Sequence, residues 1–278
     1  MSRTKKSRRP LVSPVSAHPS DTKVIGVFAD PHAGSAVGLM PPKGPLTDDG
    51  QVIGPSKFQL WNWQNWEIFT GRVDEVARSH GVPPWWVCNG DLVEGRHHKT
   101  TQLVGLGSDS QNYCAEGIFD PIAATNPSKI WIVRGTSAHV GEPGDQAEEA
   151  IAKMLSNRLP IVRHPVNHLW SHQRVAMLAA DVRIDFMHHG TGVSALKWTS
   201  AGAINRLAFR IWLEFVDRGW TPPHLAIRSH LHNHHDSGDS NRHVRAIVTP
   251  AWQAKTAYAH QRVPETISDF GGIIVVCR

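Results

Sequence analysis

Val24-Ile25-Gly26-Val27-Phe28-Ala29-Asp30-Pro31-His32 is the stretch whose reading decides the fold. Val24 to Phe28 are all apolar or small, which suits a central strand covered on both faces. Asp30 and His32 follow, two positions apart, and side chains two apart in an extended segment leave the same side. The strand end then holds a carboxylate oxygen and an imidazole nitrogen near enough to share one divalent ion. Read alone, the pair fits equally a turn with a solvated Asp and a capping His. Further polar clusters at strand ends, met in order along the chain, decide for the metal.

Outward from that strand, Ala33 to Ser56 is dense in Gly and Pro and reads as a long loop forming one wall of a site. Lys57 to His80 reads as a helix capped by Ser56, with Phe58, Trp61, Trp66, Phe69, Val73, Val76 and Ala77 in three-four spacing. Trp61, Trp63 and Trp66 could stack bases, but core packing is the preferred reading. Trp85 to Cys88 is a second strand, leading into Asn89-Gly90-Asp91. Residues 101–127 read as irregular, with at most a short helix around Tyr113 to Phe119. Lys129 to Val133 is a third strand, running into Arg134-Gly135-Thr136-Ser137-Ala138-His139-Val140-Gly141. A helix is expected over Asp145 to Leu155, short strands within Pro160 to Ala180, and a strand from Asp181 to Met187 ending at His188-His189-Gly190. A helix over Thr199 to Val216 precedes the strand Leu225 to Arg228, which ends in Ser229-His230-Leu231-His232. Residues 243–249 and 272–277 close as β structure.

Composition narrows the function classes. With 29 Lys and Arg against 24 Asp and Glu, the net charge is +5. Arg3, Lys5, Lys6, Arg8 and Arg9 account for that excess, so the body is near neutral and offers no broad surface for a polyanion. Residues 1–22 read as a disordered basic tail, and residues 23–278 as one folded domain. The tail could touch nucleic acid or simply be solvated. Cys88, Cys114 and Cys277 lie far apart without CxxC spacing, which fits reduced thiols and a cytoplasmic protein. The basic N-terminus is not followed by an apolar run, so no secretory signal is expected, and no stretch is apolar enough to span a membrane.

Eighteen His are many for this length. Several sit at apparent strand ends: Asp30 and His32, Asp91, the Thr136–His139 loop, His188 or His189, and His230 with His232. Strand ends along one sheet edge converge, which is where open α/β sheets place their sites. Two Asp and four His exceed the needs of one ion and suit two ions sharing a carboxylate, with Asp91 after Gly90 as the natural bridge. Mixed His and carboxylate donors favour manganese, iron, zinc or nickel over calcium or magnesium. His97 and His98 follow the Asp91 loop and could reach a substrate phosphate or stay exposed. His164, His168, His172, His234 and His235 read as surface or structural.

Asp30-Pro31-His32, Gly90-Asp91, Arg134-Gly135-Thr136 with His139, His189-Gly190 and Ser229-His230-Leu231-His232 resemble the ordered motifs of the calcineurin-like metallophosphoesterases. The family pattern is DxH, GDxx, GNH, a His before Gly, and GHxH. The likeness covers residue 24 to about 250, and the RGTxAHVG-type loop is most similar to phage-encoded members. The resemblance implies an α/β fold, a four-layer αββα sandwich with two mixed β-sheets face to face and helices outside. It implies that Asp30, His32 and His232 hold one metal, that Asp91 bridges, and that His189 and His230 hold the other. Neighbours in a strand point to opposite faces, so His188 packs or bonds behind the ligands, with a contact to metal or substrate as the alternative, open to Thr136 as well. Two divalent transition-metal ions, manganese foremost, would serve a hydroxide that attacks a phosphoester, and His139 would contact phosphate or protonate the leaving group. Two positions depart from the pattern. Ser229 replaces a Gly, which is harmless where its φ is negative. Thr136 replaces the metal-binding Asn, which predicts one tight and one loose ion. The leading expectation is therefore a dinuclear phosphatase or phosphodiesterase. The rivals are a binding or structural module on the same fold with little hydrolysis, and a nuclease.

Overall fold

The computed structural model describes residues 22–47, 49–97, 100–105, 107–140, 147–190, 197–240, 243–263 and 265–278. Residues 1–21 of the expected tail, His98 and the start of the helix expected at Asp145 lie outside the described residues, while Thr22 is buried.

Two mixed sheets form the centre. The first has the order β3-β2-β1-β9, built from β1 (Lys23–Phe28), β2 (Trp85–Asn89), β3 (Lys129–Val133) and β9 (Ile273–Cys277). β1, β2 and β3 run parallel, and β9 lies antiparallel on β1 with Lys23 opposite Cys277. The second sheet has the order β4-β5-β6-β8-β7, from β4 (Val175–Ala179), β5 (Val182–Phe186), β6 (Leu225–Arg228), β7 (His235–Asp236) and β8 (Arg245–Val248). β5, β6 and β8 are parallel, with antiparallel β4 and β7 at the edges.

The alternation of side chains explains the layers. Ile25, Val27, Val87 and Val133 of the first sheet meet Ile184, Phe186 and Ile227 of the second, and this face-to-face core excludes water. The opposite face of the first sheet carries Phe28, Trp86, Cys88 and Ile132. These pack under helices α1 (Lys57–Ser79), α2 (Ser108–Ala124) and α4 (Ala147–Leu155). Helix α5 (Lys197–Asp217) covers the second sheet through Ile204, Leu207 and Ala208 against Ala246 and Val248. The result is the expected αββα sandwich. Helix α1 starts at Ser56, whose hydroxyl accepts from Gln59 N while Gln59 Oε1 accepts from Ser56 N, a reciprocal cap. Trp63 and Trp66 are core, and the Trp66 indole donates to Ile118 O at 3.1 Å. Trp61 stays half exposed against Phe270.

The expectation for residues 101–127 is corrected: seventeen of them form helix α2, with Pro121 inside it. An interior Pro costs about 3 kcal/mol. Ile118, Phe119 and Ile122 are fully buried, and each such burial contributes about 1.5–3 kcal/mol, so packing outweighs the Pro. Two short helices, α3 (Ser137–Val140) and α6 (Ala257–Arg262), also lay outside the sequence reading, as did β7. No helix among the described residues is long and apolar enough to cross a membrane.

Candidate metal centre

The parallel register makes β1 and β2 end together, with Phe28 beside Cys88. Their loops then keep pairing: Asp30 N donates to Gly90 O at 3.0 Å, and His32 N donates to Asp91 O at 3.1 Å. On the second sheet Ser229 N donates to His188 O at 2.8 Å. Asn89 ties the two sheets, its amide donating to Met187 O at 3.0 Å and to Ser229 Oγ at 2.7 Å. Ser229 also accepts from Thr249 Oγ1 and is absent from the positive-φ residues, so this departure is accommodated.

The expected alternation of Asp30 and His32 along a strand is corrected. Both lie beyond the end of β1 and adopt left-handed backbone, at φ 53° and 45°. Asp91 (52°), His230 (75°) and His232 (55°) do the same. Left-handed backbone is unfavourable for residues with a Cβ. Its recurrence at five candidate ligands shows that the surrounding fold imposes the conformation to turn their side chains inward, as strained functional sites do.

The side chains converge. Asp91 Oδ2 lies 2.9 Å from His188 Nε2, 3.8 Å from His230 Nδ1 and 4.0 Å from His32 Nε2. Asp30 Oδ1 lies 3.4 Å from His232 Nε2, 3.8 Å from His188 Nε2 and 3.9 Å from His32 Nε2. Asp30, His32 and His232 can hold a cation together, as can Asp30, Asp91 and His188, and His188, His189 and His230. Asp30, His32, Asp91 and His188 are essentially inaccessible to solvent.

The geometry adds a candidate ligand beside His189. His188 faces the carboxylates, its Nδ1–H donating to Asn89 O at 2.7 Å and its Nε2 aimed at Asp91. The His189 ring sits on the outer side, 4.8 Å from that of His230.

The electrostatics match a cation site. Burial raises the Asp30 and Asp91 pKa values, but nearby His188, with His232 on Asp30 and His230 on Asp91, outweighs it and holds both carboxyls below their usual range. Burial lowers the His188 pKa, yet Asp91 and Asp30 together push it up to about 10. In other words, this pocket of two carboxylates demands positive charge. Asp30 Oδ1 and His188 Nε2 are buried 3.8 Å apart, and a cation between them would be held by both.

Thr136 enters through its backbone N, 2.6 Å from Asp91 Oδ1, and its hydroxyl lies 3.2 Å from both Asp91 Oδ2 and His230 Nδ1. His139 Nδ1–H donates to Glu94 O at 2.7 Å, so its Nε2 bears the lone pair. Burial and the neighbouring His32 lower its pKa to about 4. His97 Nε2 contacts Glu94 Oε1 at 2.9 Å.

Glu94 itself escaped the sequence reading. Fully buried, it meets His32 Nδ1 at 3.0 Å and accepts from Gln253 Nε2 at 2.6 Å. Burial is outweighed by His32 and His97, and its pKa falls to about 2. Glu148 of α4 was also missed. Its two carboxylate oxygens accept from Leu92 N (3.0 Å) and Gly135 N (2.8 Å), clamping the loops on either side of Asp91. The only sequence signal for Glu94 was an acidic residue three positions after Asp91. The histidines read as structural behave so where bonds are seen: His172 Nε2 lies 3.1 Å from Val162 O and His234 Nδ1 3.0 Å from Val248 O.

No protein-family model and no curated protein matches the chain. Among solved structures, a conserved uncharacterized protein of Streptococcus pneumoniae, a predicted phosphoesterase, aligns over 92% of this chain and 84% of its own, at 10% identity and a TM-score of 0.35.

Proposed function

We propose that the chain is a metal-dependent phosphoesterase with a two-ion centre. The observation that carries this reading is the burial of Asp30, Asp91 and His188 with their ligand-capable atoms within 4.8 Å of one another and with three further His around them. One ion would take Asp30, His32 and His232. The other would take His188 and His230, with the Thr136 hydroxyl and His189 beside them, and Asp91 would serve both. Bound divalent transition metals, manganese foremost, would polarise a phosphoryl oxygen and make water acidic enough to attack at neutral pH.

The chain's own residues do the rest. Asp91 is held by Thr136 N and cannot swing away. His32 is oriented by Glu94, whose contact with Nδ1 leaves Nε2 for the metal. His139 is neutral at pH 7, and its Nε2 lone pair can accept a proton from water or hold one for the departing alcohol. It needs no protein nucleophile. The phosphoester would enter beside His97, His139 and His230, which border an open cavity.

The test is metal content together with turnover of bis-p-nitrophenyl phosphate. The wild-type protein should carry close to two transition-metal ions and hydrolyse the ester. Asp91→Asn should lose most of both, because one substitution weakens both sites. Wild-type-like rate and metal content in Asp91→Asn would end the two-ion reading. Bound metals without any turnover would leave a binding module.

A further inference from the structure

Glu94, His97 and His139 gather beside the candidate metal centre. One ligand-capable atom from each lies within 4.8 Å of the other two. Among the described residues, Glu94 and His97 enter no other grouping of this kind, so the cluster is not a restatement of the central pair. All three border the cavity that His32, Asp91, His230 and His232 also border, which gives an ion a way in.

Glu94 organises both histidines. Its Oε1 lies 2.9 Å from His97 Nε2, three positions along the same loop. Its main-chain carbonyl accepts from His139 Nδ1–H at 2.7 Å, which puts the His139 lone pair on Nε2. Its other carboxylate oxygen, Oε2, is taken by His32 Nδ1 at 3.0 Å and Gln253 Nε2 at 2.6 Å, so the two oxygens serve different sides. The rings of His97 and His139 meet edge to face, with centroids 4.2 Å apart. Between the two histidines the loop presses on α3: a Cβ on Gly95 would lie 2.1 Å from His139 O. Gly95 N donates to Gln111 Oε1 at 2.8 Å, and Glu94 N donates to Ala33 O at 3.0 Å. Donors braced in this way lose little freedom when an ion arrives.

Two imidazoles and one carboxylate, with a position left for water, are the ligand set of open zinc sites. Zinc bonds of about 2.0–2.2 Å place tetrahedral donors about 3.4 Å apart. The Glu94–His97 pair at 2.9 Å and the outer limit of 4.8 Å bracket that spacing. We propose that Glu94, His97 and His139 bind zinc as a third ion, separate from the central pair, and that this ion restrains the enzyme. The restraint rests on the phosphoesterase reading above. His139 Nδ1–H is committed to Glu94 O, so a zinc ion on Nε2 leaves the ring no atom with which to accept or deliver a proton.

Equilibrium dialysis of the full chain against zinc counts the ions without any turnover. His97→Gln keeps an amide N–H for Glu94 Oε1 but cannot ligate through that nitrogen, and His97→Ala removes the group outright. Each should bind one zinc fewer than wild type, or bind it at least about tenfold more weakly, the lower end of what a supporting residue contributes to metal affinity. Asp91→Asn should keep the His97-dependent zinc while it loses the central ions. Zinc added to the manganese-loaded wild type should slow turnover of bis-p-nitrophenyl phosphate, and His97→Gln should need at least about tenfold more zinc for the same inhibition. Equal zinc content in wild type and in a His97→Gln chain shown to be folded by its melting curve would overturn the site, as would loss of the His97-dependent ion in Asp91→Asn. Equal sensitivity of the two chains to zinc would overturn the restraint. A wild type that binds a single, His97-dependent zinc and turns over no ester would support this site and reject the two-ion reading alone.

Discussion

Gly135 and Thr136 show how much single residues control. A Cβ on Gly135 would overlap Asp91 Oδ1 and Asp91 N, so Gly135→Ala should displace the shared carboxylate and lose metal as well as stability. Metal analysis and thermal melting check this, and a variant with two tight ions would contradict it. Thr136 already brings its hydroxyl to 3.2 Å from Asp91 Oδ2 and from His230 Nδ1. Thr136→Asn offers a longer amide oxygen and should lower the manganese concentration needed for half-maximal activity by about tenfold, the scale of one supporting ligand. An unchanged requirement would mean that Thr136 itself completes the site. Glu94→Gln should weaken the metal bound by His32 by about ten- to a hundredfold, because an amide can offer its donor where His32 needs an acceptor. Most of the candidate ligands that the fold brings together were legible in the sequence because DxH and HxH spacing puts donors close together. That His188 faces the carboxylates was not, since adjacent residues at a strand end differ only in which way the backbone turns. Glu94 was not legible either: its partners Gln253 and His32 come from distant parts of the chain.

Helix α4 supports the candidate centre through backbone N–H groups of its loops. Glu148 reaches Leu92 N and Gly135 N from that helix, so the element positions both loops. Glu148→Gln turns one acceptor into a donor facing an N–H and should cost about 1–3 kcal/mol, measurable by denaturant unfolding. Burial pushes the Glu148 carboxyl up to about 7 from its ordinary 4.5, against the pull of the two N–H donors. Its folded pKa is raised, so this group binds more protons folded than unfolded between about pH 4.5 and 7, and its share of the stability falls as pH rises through that window. The difference in stability between wild type and Glu148→Gln should therefore shrink with rising pH across it. Helix α2 marks where sequence reading of elements fails. Gly117 and Pro121 look like breakers, and packing against α1, α4 and the first sheet makes the segment helical. The central strands were easy by contrast, because continuous apolar runs such as Ile130 to Val133 admit few other placements.

On the scale of the whole molecule, the candidate ions would join the two sheets, since Asp30, His32 and Asp91 follow strands of the first while His188, His230 and His232 follow strands of the second. Ligands that bind only the folded state stabilise it by about 2.7 kcal/mol at a hundred times Kd. Stripping the metals with a chelator should thus lower Tm by about 5–10 °C for a chain of this size. A Tm indifferent to chelator would show that the ions do not bridge the sheets. Removing residues 1–21 should leave Tm and the turnover of small esters unchanged, because that segment carries no apolar periodicity.

The contact between His32 Nε2 and His232 Nε2, at 3.2 Å, spans two hundred positions of sequence. A ribosome delivers Asp30 and His32 long before it delivers their partners. β9, which flanks β1, comes last of all. During synthesis the early ligands are a carboxylate and an imidazole with nothing to answer them, and the centre can close only once the second sheet has been made. Any metal capture at these residues would therefore be a late event in the life of each new chain, and a prematurely terminated copy lacking residue 232 would have no complete candidate site.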